Sequence, residues 1–235
     1  MSSVVVDPRF EGPPGVANGG VVCGLLAERL PERRPVTVTL RRPVPVGVPL
    51  QVADDGAGAV VLAAGGEPLA IAHVAEDPEV GVIPSVAPRA ARSAVPDPAF
   101  VAAHPFPGCF GCGPARDRAS AVALLPGPVG DGVLATSWTP GPGLPQGPGA
   151  VLAPTAVWAA LDCPSGAAAV PPGSPPHVLG RLEGRVDGPL PVGGEVLVVA
   201  WPLGHDGRKR WGASALLTPG GTLLGVARAT WIALA

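Results

Sequence analysis

The chain has 235 residues, of which 47% are apolar and 14% are charged. So much apolar surface excludes a disordered chain, and we interpret the 34 glycines and 33 prolines as turns between many short strands. A net charge of −2 without basic runs argues against nucleic acid as a partner, and four cysteines are too few for a disulfide scaffold. The sequence shows neither a membrane-spanning run nor a signal peptide, which predicts a cytoplasmic protein that does not enter membranes.

The first half of the chain reads as one helix followed by four strands. Asn18 is a suitable N-cap for an apolar helix over residues 21–30, which Pro31 and Pro35 would end. Alternating β-branched residues separated by turn residues predict strands at residues 36–42, 50–54, 60–63 and 69–74. Proline, alanine and arginine dominate residues 78–99, which predicts a linker.

The second half repeats the order of the first. The same signals predict a helix at residues 151–165 and strands at residues 121–125, 133–138, 178–186, 196–201, 211–217 and 223–232. The Pro- and Gly-containing bend at residues 189–193 echoes the bend at 43–47, and the Asp-Gly turn at 206–207 echoes that at 55–56. A helix followed by antiparallel strands, twice over, indicates duplication or fusion of one module.

One carboxylate stands out on the second predicted helix. Residues 151–165 are apolar at nearly every helical offset, so this helix should be buried on most sides, with Pro164 closing it. Burying Asp162 alone would cost several kcal/mol unless the acid is paired, neutralised or used. Burial beside Trp158 should raise its pKa, which would suit a base working near neutral pH. The alternative is an Asp in the last turn that reaches solvent or a backbone N–H.

Three short motifs carry a resemblance to a known family. They are Asn18-Gly19-Gly20 before the first helix, Cys109-Phe-Gly-Cys112-Gly-Pro between the halves, and Trp-Ala-Ala-Leu-Asp-Cys-Pro at 158–164. With the helix-then-strands order, they resemble the hotdog fold and, more narrowly, actinobacterial double-hotdog thioesterase-like proteins. The resemblance implies an α+β double hotdog, in which two tandem modules each wrap an antiparallel sheet around a central helix. We expect the modules at residues 1–90 and 119–235, with a linker at 91–118 that carries the cysteine loop.

The resemblance also implies where the active site lies. Hotdog sites lie between two modules, with the helix N-terminus of one facing an acid on the helix of the other. We therefore expect the amides of Gly19 and Gly20 to form an oxyanion hole, with Asn18 orienting a carbonyl or water. Asp162 would face them as a general base or as a nucleophile. The reaction would be hydrolysis of an acyl-CoA or acyl-carrier-protein thioester, in one site per chain. The converse pairing of Thr155 with Glu28 looks poorer.

Other residues are expected to bind the substrate. Thr155, Trp158, Phe110 and Arg116 are expected to bind substrate, with Phe110 as an apolar plug in a loop over the pocket mouth. The segment 208–210, Arg-Lys-Arg, is either a solvated turn or a clamp for coenzyme A phosphates.

The cysteine loop leaves three interpretations open: a metal site, a disulfide or a redox pair. Zinc would need two more ligands beyond Cys109 and Cys112, and His104 and Cys163 are the nearby residues of the right type. We expect no metal, and no cofactor beyond the coenzyme A of the substrate.

Two other functions stay open. One is a non-catalytic protein that binds acyl-CoA or another acyl ligand, in which Asn18 and Asp162 only line a pocket. The other is an enoyl-thioester hydratase or dehydratase, which in this fold pairs a histidine with an acid. Asn18 stands where many hotdog thioesterases carry histidine, and His177 looks isolated. The resemblance also suggests a role in biosynthesis and leaves pairing of whole chains into a homodimer open.

Overall fold

The computed structural model describes residues 2–30 and 34–234. The helices are α1 (Gly19–Ala27), α2 (Pro88–Ser93), α3 (Pro98–Ala102) and α4 (Pro154–Ala169). The strands are β1 (Ser2–Val5), β2 (Val36–Leu40), β3 (Pro49–Asp54), β4 (Ala59–Ala64), β5 (Glu67–Val74), β6 (Gly127–Gly130), β7 (Val133–Trp138), β8 (Gln146–Gly147), β9 (Val151–Leu152), β10 (His177–Val186), β11 (Val196–Asp206), β12 (Lys209–Leu217) and β13 (Leu223–Ala233).

One antiparallel sheet joins the two halves of the chain. Its strand order is β1-β3-β4-β5-β2-β10-β13-β12-β11-β7-β6. The halves meet where β2 pairs with β10, with Val38 opposite Leu182. Outward from this junction, β2-β5-β4-β3-β1 on one side corresponds to β10-β13-β12-β11-β7 on the other. The sheet therefore has the twofold repeat that the sequence predicts, while the exact limits of the modules stay predictions.

The two longer helices pack on each other and on the sheet. α1 follows β1, and α4 follows β7, so each half supplies a helix at the same place in its strand order. α4 also contacts β11, β12 and β13 of its own half, and its residues 156–166 are all buried. None of the helices in the described residues has the length and apolarity needed to cross a bilayer.

Two glycines of α1 allow the close approach of α4. A Cβ atom on Gly20 would lie 2.5 Å from the carbonyl oxygen of Trp158, and one on Gly24 would lie 2.5 Å from that of Pro154. Side chains cannot be accommodated at such distances from backbone, so both positions require glycine. The crossing places the start of α1 beside Asp162 and the start of α4 beside Gly24.

Helix α4 does not end at Pro164, and that prediction is wrong. The helix runs through Pro164, although proline removes one backbone hydrogen bond and pushes aside the carbonyl four residues earlier. Hydroxyl groups bond to the neighbouring carbonyls of this turn, because Ser214 donates to the carbonyl of Leu161 and Ser165 to that of Asp162. Packing against the sheet thus overrides a local helix stop, and Asp162 lies inside the helix.

Several other predicted boundaries differ. The first helix is Gly19–Ala27 rather than 21–30, and Pro31, its predicted stop, lies outside the described residues. Residues 151–152 form β9 instead of a helical turn. Residues 121–125 are buried but form no strand, because Ala123 has a φ of +43° and leaves the extended conformation. The predicted linker at 78–99 contains α2 and the start of α3, and β1 was not predicted at all.

Candidate active site

Asp162 lies where α4 crosses the start of α1. Its Oδ2 accepts a hydrogen bond from the backbone N–H of Gly20 at 2.8 Å and another from the side-chain amide of Asn18 at 3.3 Å. Only 1% of the residue is exposed. The structure therefore brings together three of the residues that the sequence analysis assigned to catalysis.

The second carboxylate oxygen of Asp162 has no partner. In residues 2–30 and 34–234, every buried side-chain nitrogen or oxygen has a hydrogen-bond partner except Asp162 Oδ1. Burial raises the pKa of Asp162 to about 7, against the opposing effect of the hydrogen bonds from Gly20 and Asn18. An uncompensated buried polar oxygen is costly, and such groups are concentrated where a protein binds or transforms a ligand.

The start of α1 has one backbone donor left over. Three of its first four N–H groups have partners: Asn18 donates to the Phe10 carbonyl, Gly20 to Asp162, and Val21 to the side chain of Asn18. The remaining N–H belongs to Gly19, which lines a cavity in front of Asp162. Unpaired amides at a helix start carry the positive end of the helix dipole and favour negative charge.

The cavity in front of Asp162 has a volume of about 460 Å³. Asn18, Gly19 and Asp162 line it together with apolar groups such as Leu179. Three arginines also line it, Arg41, Arg42 and Arg208. Of these only Arg208 belongs to the predicted basic segment 208–210, so the structure assigns one of its three cations to the cavity. Glu67 forms an ion pair of 3.1 Å with Arg42.

His177 was expected to be isolated, and that expectation is wrong. It is 8% exposed and lines the cavity in front of Asp162. Its Nδ1 lies 2.7 Å from the carbonyl oxygen of Pro175. When Nδ1 donates to that carbonyl, the other ring nitrogen is left as an acceptor.

A second, mainly apolar cavity adjoins the first. Its volume is about 340 Å³, and Phe100, Leu125 and Val170 are among its lining residues. It shares five residues with the cavity in front of Asp162, namely Phe106, Cys112, Cys163, His177 and Trp231. The two cavities therefore lie side by side, with these five residues in the wall of both.

Three cysteines lie at the junction of the two cavities. Cys109, Cys112 and Cys163 have their sulphur atoms within 4.8 Å of one another. Hydrogen bonds from the other two thiols, and from the N–H groups of Cys112 and Gly111, hold the pKa of the Cys109 thiol well below its usual value. Cys163 Sγ is 4.0 Å from Asp162 Oδ2.

The four predicted substrate-binding residues do not line the cavity in front of Asp162. Phe110 is fully buried and packs edge-on against Phe10 at 5.0 Å, so its prediction as a plug of the pocket mouth is wrong. The guanidinium of Arg116 donates to the carbonyl of Arg9. Thr155 is half-buried against Gly24 at the opposite end of the helix pair.

Trp158 lies in a separate pocket of about 370 Å³. Glu28, Arg34 and Leu190 line this pocket with it, together with Pro154 at the start of α4. By the twofold repeat of the fold, it corresponds to the converse site that the sequence analysis considered poorer. Trp158 therefore lines a different pocket from Asp162.

Gly20 plays a different part from the one predicted. Because glycine has no Cβ, the sequence predicts that Gly19 and Gly20 let a thioester approach the helix start closely. In the structure the space is filled by α4 instead, since a Cβ on Gly20 would lie 2.7 Å from the Cβ of Asp162. A Cβ on Gly19 would meet the Leu179 side chain at 2.7 Å, which is the flexible end of a side chain rather than backbone.

Several solved structures are similar to this protein in fold. No protein-family model matches the sequence, and no curated protein matches it either. Among solved structures, a conserved protein of unknown function with a hot dog fold from Alicyclobacillus acidocaldarius matches with a TM-score of 0.62 at 15% identity, over 99% of this chain and 92% of that one. A TesB protein from Mycobacterium avium subsp. paratuberculosis matches with a TM-score of 0.60 at 14% identity, over 99% and 92%. Acyl-CoA thioesterase II TesB2 from Mycobacterium marinum gives 0.58 at 14% identity, over 99% and 92%.

These matches confirm the predicted α+β double hotdog. The similar structures span nearly the whole chain, so both halves take part in the likeness. Two of these three similar structures are mycobacterial proteins, one titled TesB and the other acyl-CoA thioesterase II. At these identities the likeness establishes the architecture, and the chemistry has to be argued from the residues of this chain.

Proposed function

We propose that the protein hydrolyses acyl thioesters of coenzyme A or of an acyl carrier protein, at one site between the two halves. The observation that carries the proposal is the hydrogen bond between Gly20 N–H at the start of α1 and the Asp162 carboxylate on α4, at the wall of a cavity. Thioesterase names among the structurally similar proteins support the same reaction class.

Asp162 is the proposed base or nucleophile. Its Oδ2 is held by Gly20 and Asn18, while Oδ1 has no protein partner and is the oxygen available for chemistry. As a base, Oδ1 would take a proton from water, and the resulting hydroxide would attack the thioester carbonyl. As a nucleophile, Oδ1 would attack that carbon and form an anhydride that water then cleaves. In both routes the carbon–sulphur bond breaks and the thiol leaves with a proton.

The Gly19 N–H is the proposed oxyanion donor. It is the amide of the first helical turn without a partner, and it belongs to a residue that lines the cavity. A backbone donor fixed in a buried site stabilises the charge that develops on the carbonyl oxygen and requires no reorganisation. The proposed hydrolysis needs no cofactor apart from the coenzyme A of its substrate.

The two cavities divide the substrate between them. The apolar chamber lined by Phe100, Leu125 and Val170 would hold the acyl group. Arg41 and Arg208 on the wall of the Asp162 cavity would attract the phosphates of coenzyme A. The thioester would then lie at the junction of the cavities, in front of Asp162.

Thiol release from a panel of acyl-CoA substrates tests the proposal. The wild-type protein should release coenzyme A from at least one acyl thioester. Asp162→Asn should lower kcat by about 10²–10⁴-fold while substrate still binds, because a positioned base contributes that much. Binding of acyl-CoA without release of thiol by the wild-type protein would instead make it a non-catalytic acyl-binding protein.

An enoyl-thioester hydratase is a second candidate, favoured by His177. Hydration needs a base for water and an acid for the α-carbon, and His177 lines the same cavity as Asp162. Loss of enoyl absorbance on incubation with an enoyl-CoA, without thiol release, would select this reaction. If the protein hydrolyses thioesters as proposed, His177→Gln should lower the rate of thiol release by less than Asp162→Asn does.

A further inference from the structure

Three thiols from separate parts of the chain meet beside the candidate active site. Cys109 and Cys112 come from the loop between the halves, and Cys163 comes from α4. Their sulphur atoms lie within 4.8 Å of one another, and Cys109 Sγ is 3.9 Å from Cys163 Sγ. All three are free thiols. The proposed hydrolysis uses none of them, so the cluster requires its own explanation.

The spacing of the sulphur atoms fits a bound metal ion. With Zn–S bonds of about 2.3 Å, a tetrahedral zinc site places neighbouring sulphur atoms about 3.8 Å apart. The 3.9 Å separation matches this value, and the 4.8 Å limit on the other pairs leaves about 1 Å of closure at most. A disulfide would join only two sulphur atoms and leave the third thiol buried without a role.

One side-chain amide reaches two of the three sulphur atoms, while the Asp162 carboxylate lies 4.0 Å from the sulphur of Cys163. The side-chain amide of Asn18 lies 3.7 Å from Cys109 Sγ and 3.5 Å from Cys163 Sγ.

The cysteine loop is built to approach α4 closely. A Cβ atom on Gly111 would overlap Cys163 Sγ, so only glycine admits the third thiol at this place. A Cβ on Gly113 would lie 2.6 Å from the backbone nitrogen of Cys109. Backbone hydrogen bonds tie the loop down further, because Phe110 donates to the carbonyl of Glu11 at 2.7 Å. The meeting of the three thiols is therefore fixed by the backbone.

We propose that Cys109, Cys112 and Cys163 bind one thiophilic divalent cation, for which Zn²⁺ is the best fit, with a fourth position open to water. Cys112 and Cys163 line both cavities, so the open position faces the space between them. Binding converts three thiols into thiolates and releases their protons to solvent, which leaves the site with a single net negative charge. The ion holds the cysteine loop against α4, next to Asp162.

This proposal replaces the expectation that no metal is bound. The sequence analysis identified two cysteines in the loop and could name Cys163 and His104 only by residue type. The structure brings Cys163 to the loop, and in the described residues the group of mutually close ligand atoms consists of the three cysteines. Zinc sites with an open position have three protein ligands, and three cysteines can supply them, whereas the two cysteines of the loop alone cannot.

Anaerobic titration of the reduced, chelator-stripped protein with Co²⁺ and then Zn²⁺ tests the proposal directly. We expect one Co²⁺ per chain, with sulphur-to-cobalt charge-transfer absorption of the strength given by three thiolates, which Zn²⁺ then bleaches. Absence of charge-transfer absorption would overturn the proposal. So would a Cys109–Cys163 disulfide in protein that was purified anaerobically and holds no metal. This titration uses the wild-type chain and does not depend on the folding of any variant.

Cysteine variants with a matched control locate the site. Cys109→Ser, Cys112→Ser and Cys163→Ser should each weaken Co²⁺ binding by more than about 100-fold, since loss of outer-shell partners alone already costs about 10–100-fold. Cys23→Ser is the control, because Cys23 is buried in α1 and lies outside the cluster. It should bind Co²⁺ as the wild type does. Equal losses in the control and in the three variants would contradict the assignment.

Discussion

The two ends of the α1–α4 pair are related by the twofold repeat of the fold but differ in chemistry. At one end α1 begins with Gly19, whose N–H has no partner among the described residues, and at the other α4 begins with Pro154, which has no N–H at all. The ninth residue of α4 is Asp162, whereas the ninth residue of α1 is Ala27. The Asp162 end thus keeps both an amide donor and an acid, and the Pro154 end has neither at the matching places.

This difference shows how a duplicated fold can specialise. Both ends keep the glycine that lets the helices cross, Gly20 at one and Gly24 at the other. Both ends also keep a pocket. Close packing is therefore required at both ends, with both glycines on α1, while the acid and the free amide of the proposed site lie at one end. Glu28, the nearest acid at the other end, lies in its pocket with Arg34.

Apart from the loss of Asp162 itself, the largest expected effect comes from removing the Gly19 N–H. Gly19→Pro reproduces the start of α4, and proline is tolerated at the first helical position. Asn18 already has the extended backbone that must precede a proline, with φ −57° and ψ 133°. The kcat for thioester hydrolysis should fall by about 10²–10³-fold, as on loss of an oxyanion donor.

Gly19→Ala is the matched control for that variant. Alanine places the same Cβ against Leu179 but keeps the N–H. It should retain most of the activity, with a melting temperature close to that of Gly19→Pro. If alanine lowers kcat as much as proline does, the loss comes from contact with Leu179, and the N–H has no part in catalysis.

The two crossing glycines should be equally sensitive. Gly20→Val and Gly24→Val each force a side chain into the backbone of α4, so each should lower the free energy of unfolding by about 1–3 kcal/mol or more. Chemical denaturation of both variants measures this. A loss of activity in Gly20→Val with unchanged stability would show instead that Gly20 serves the approach of substrate.

Asp162 should lower the free energy of unfolding of the folded protein although the proposed activity depends on it. Replacing it by asparagine removes a buried charge whose Oδ1 has no partner, and should raise the free energy of unfolding of the metal-free protein by about 1 kcal/mol. Denaturation at pH 8 in the presence of a chelator measures the change. Glu28→Gln at the other end is the control and should leave the free energy of unfolding unchanged. A lower free energy of unfolding in Asp162→Asn would mean that the carboxylate stabilises the fold.

The smallest expected effect is at Glu195, which lies outside both ends of the helix pair and serves as a reference for variants that should not change activity. Glu195 contacts Arg92 at 2.7 Å and Ser137 at 2.7 Å, and these contacts lower the pKa of Glu195 to about 2. Because the folded pKa lies below the unfolded value, this contribution to stability is present above about pH 4.5 and is lost as the pH falls towards 2.

Glu195→Gln tests this pH-dependent contribution to stability. Its melting temperature should lie slightly below that of the wild type at pH 7, and the gap should close as the pH falls below 4. Its kcat at pH 7 should equal that of the wild type. A gap that persists at low pH would mean that the pair does not act through the charge of Glu195.

The sequence predicts much of this comparison because the relevant signals are local. An Asn-Gly-Gly helix start and one acid on an apolar helix can be recognised without knowing the fold, and the repeated order of elements places them in opposite halves. Pro154 lies inside the helix predicted over residues 151–165, and its missing N–H gains meaning only once the structure places the helix start there and the two helix starts are compared.

The remaining features depend on long-range contacts that no local pattern reports. His177 reaches the cavity because β10 pairs with β13, with His177 opposite Ala233. Cys163 meets the cysteine loop because the loop folds back against α4 at Gly111, 52 positions earlier in the chain. The spacing of Gly20 and Gly24 was present in the sequence and would have predicted the helix crossing.

The most direct test of the account is the kcat for acyl-CoA hydrolysis of Asp162→Asn and Glu28→Gln, measured side by side at saturating substrate. The account predicts that Asp162→Asn loses nearly all activity, whereas Glu28→Gln stays within about twofold of the wild type, because only the Asp162 end combines a base with an amide donor. Comparable losses in the two variants, or full activity in Asp162→Asn, would contradict it.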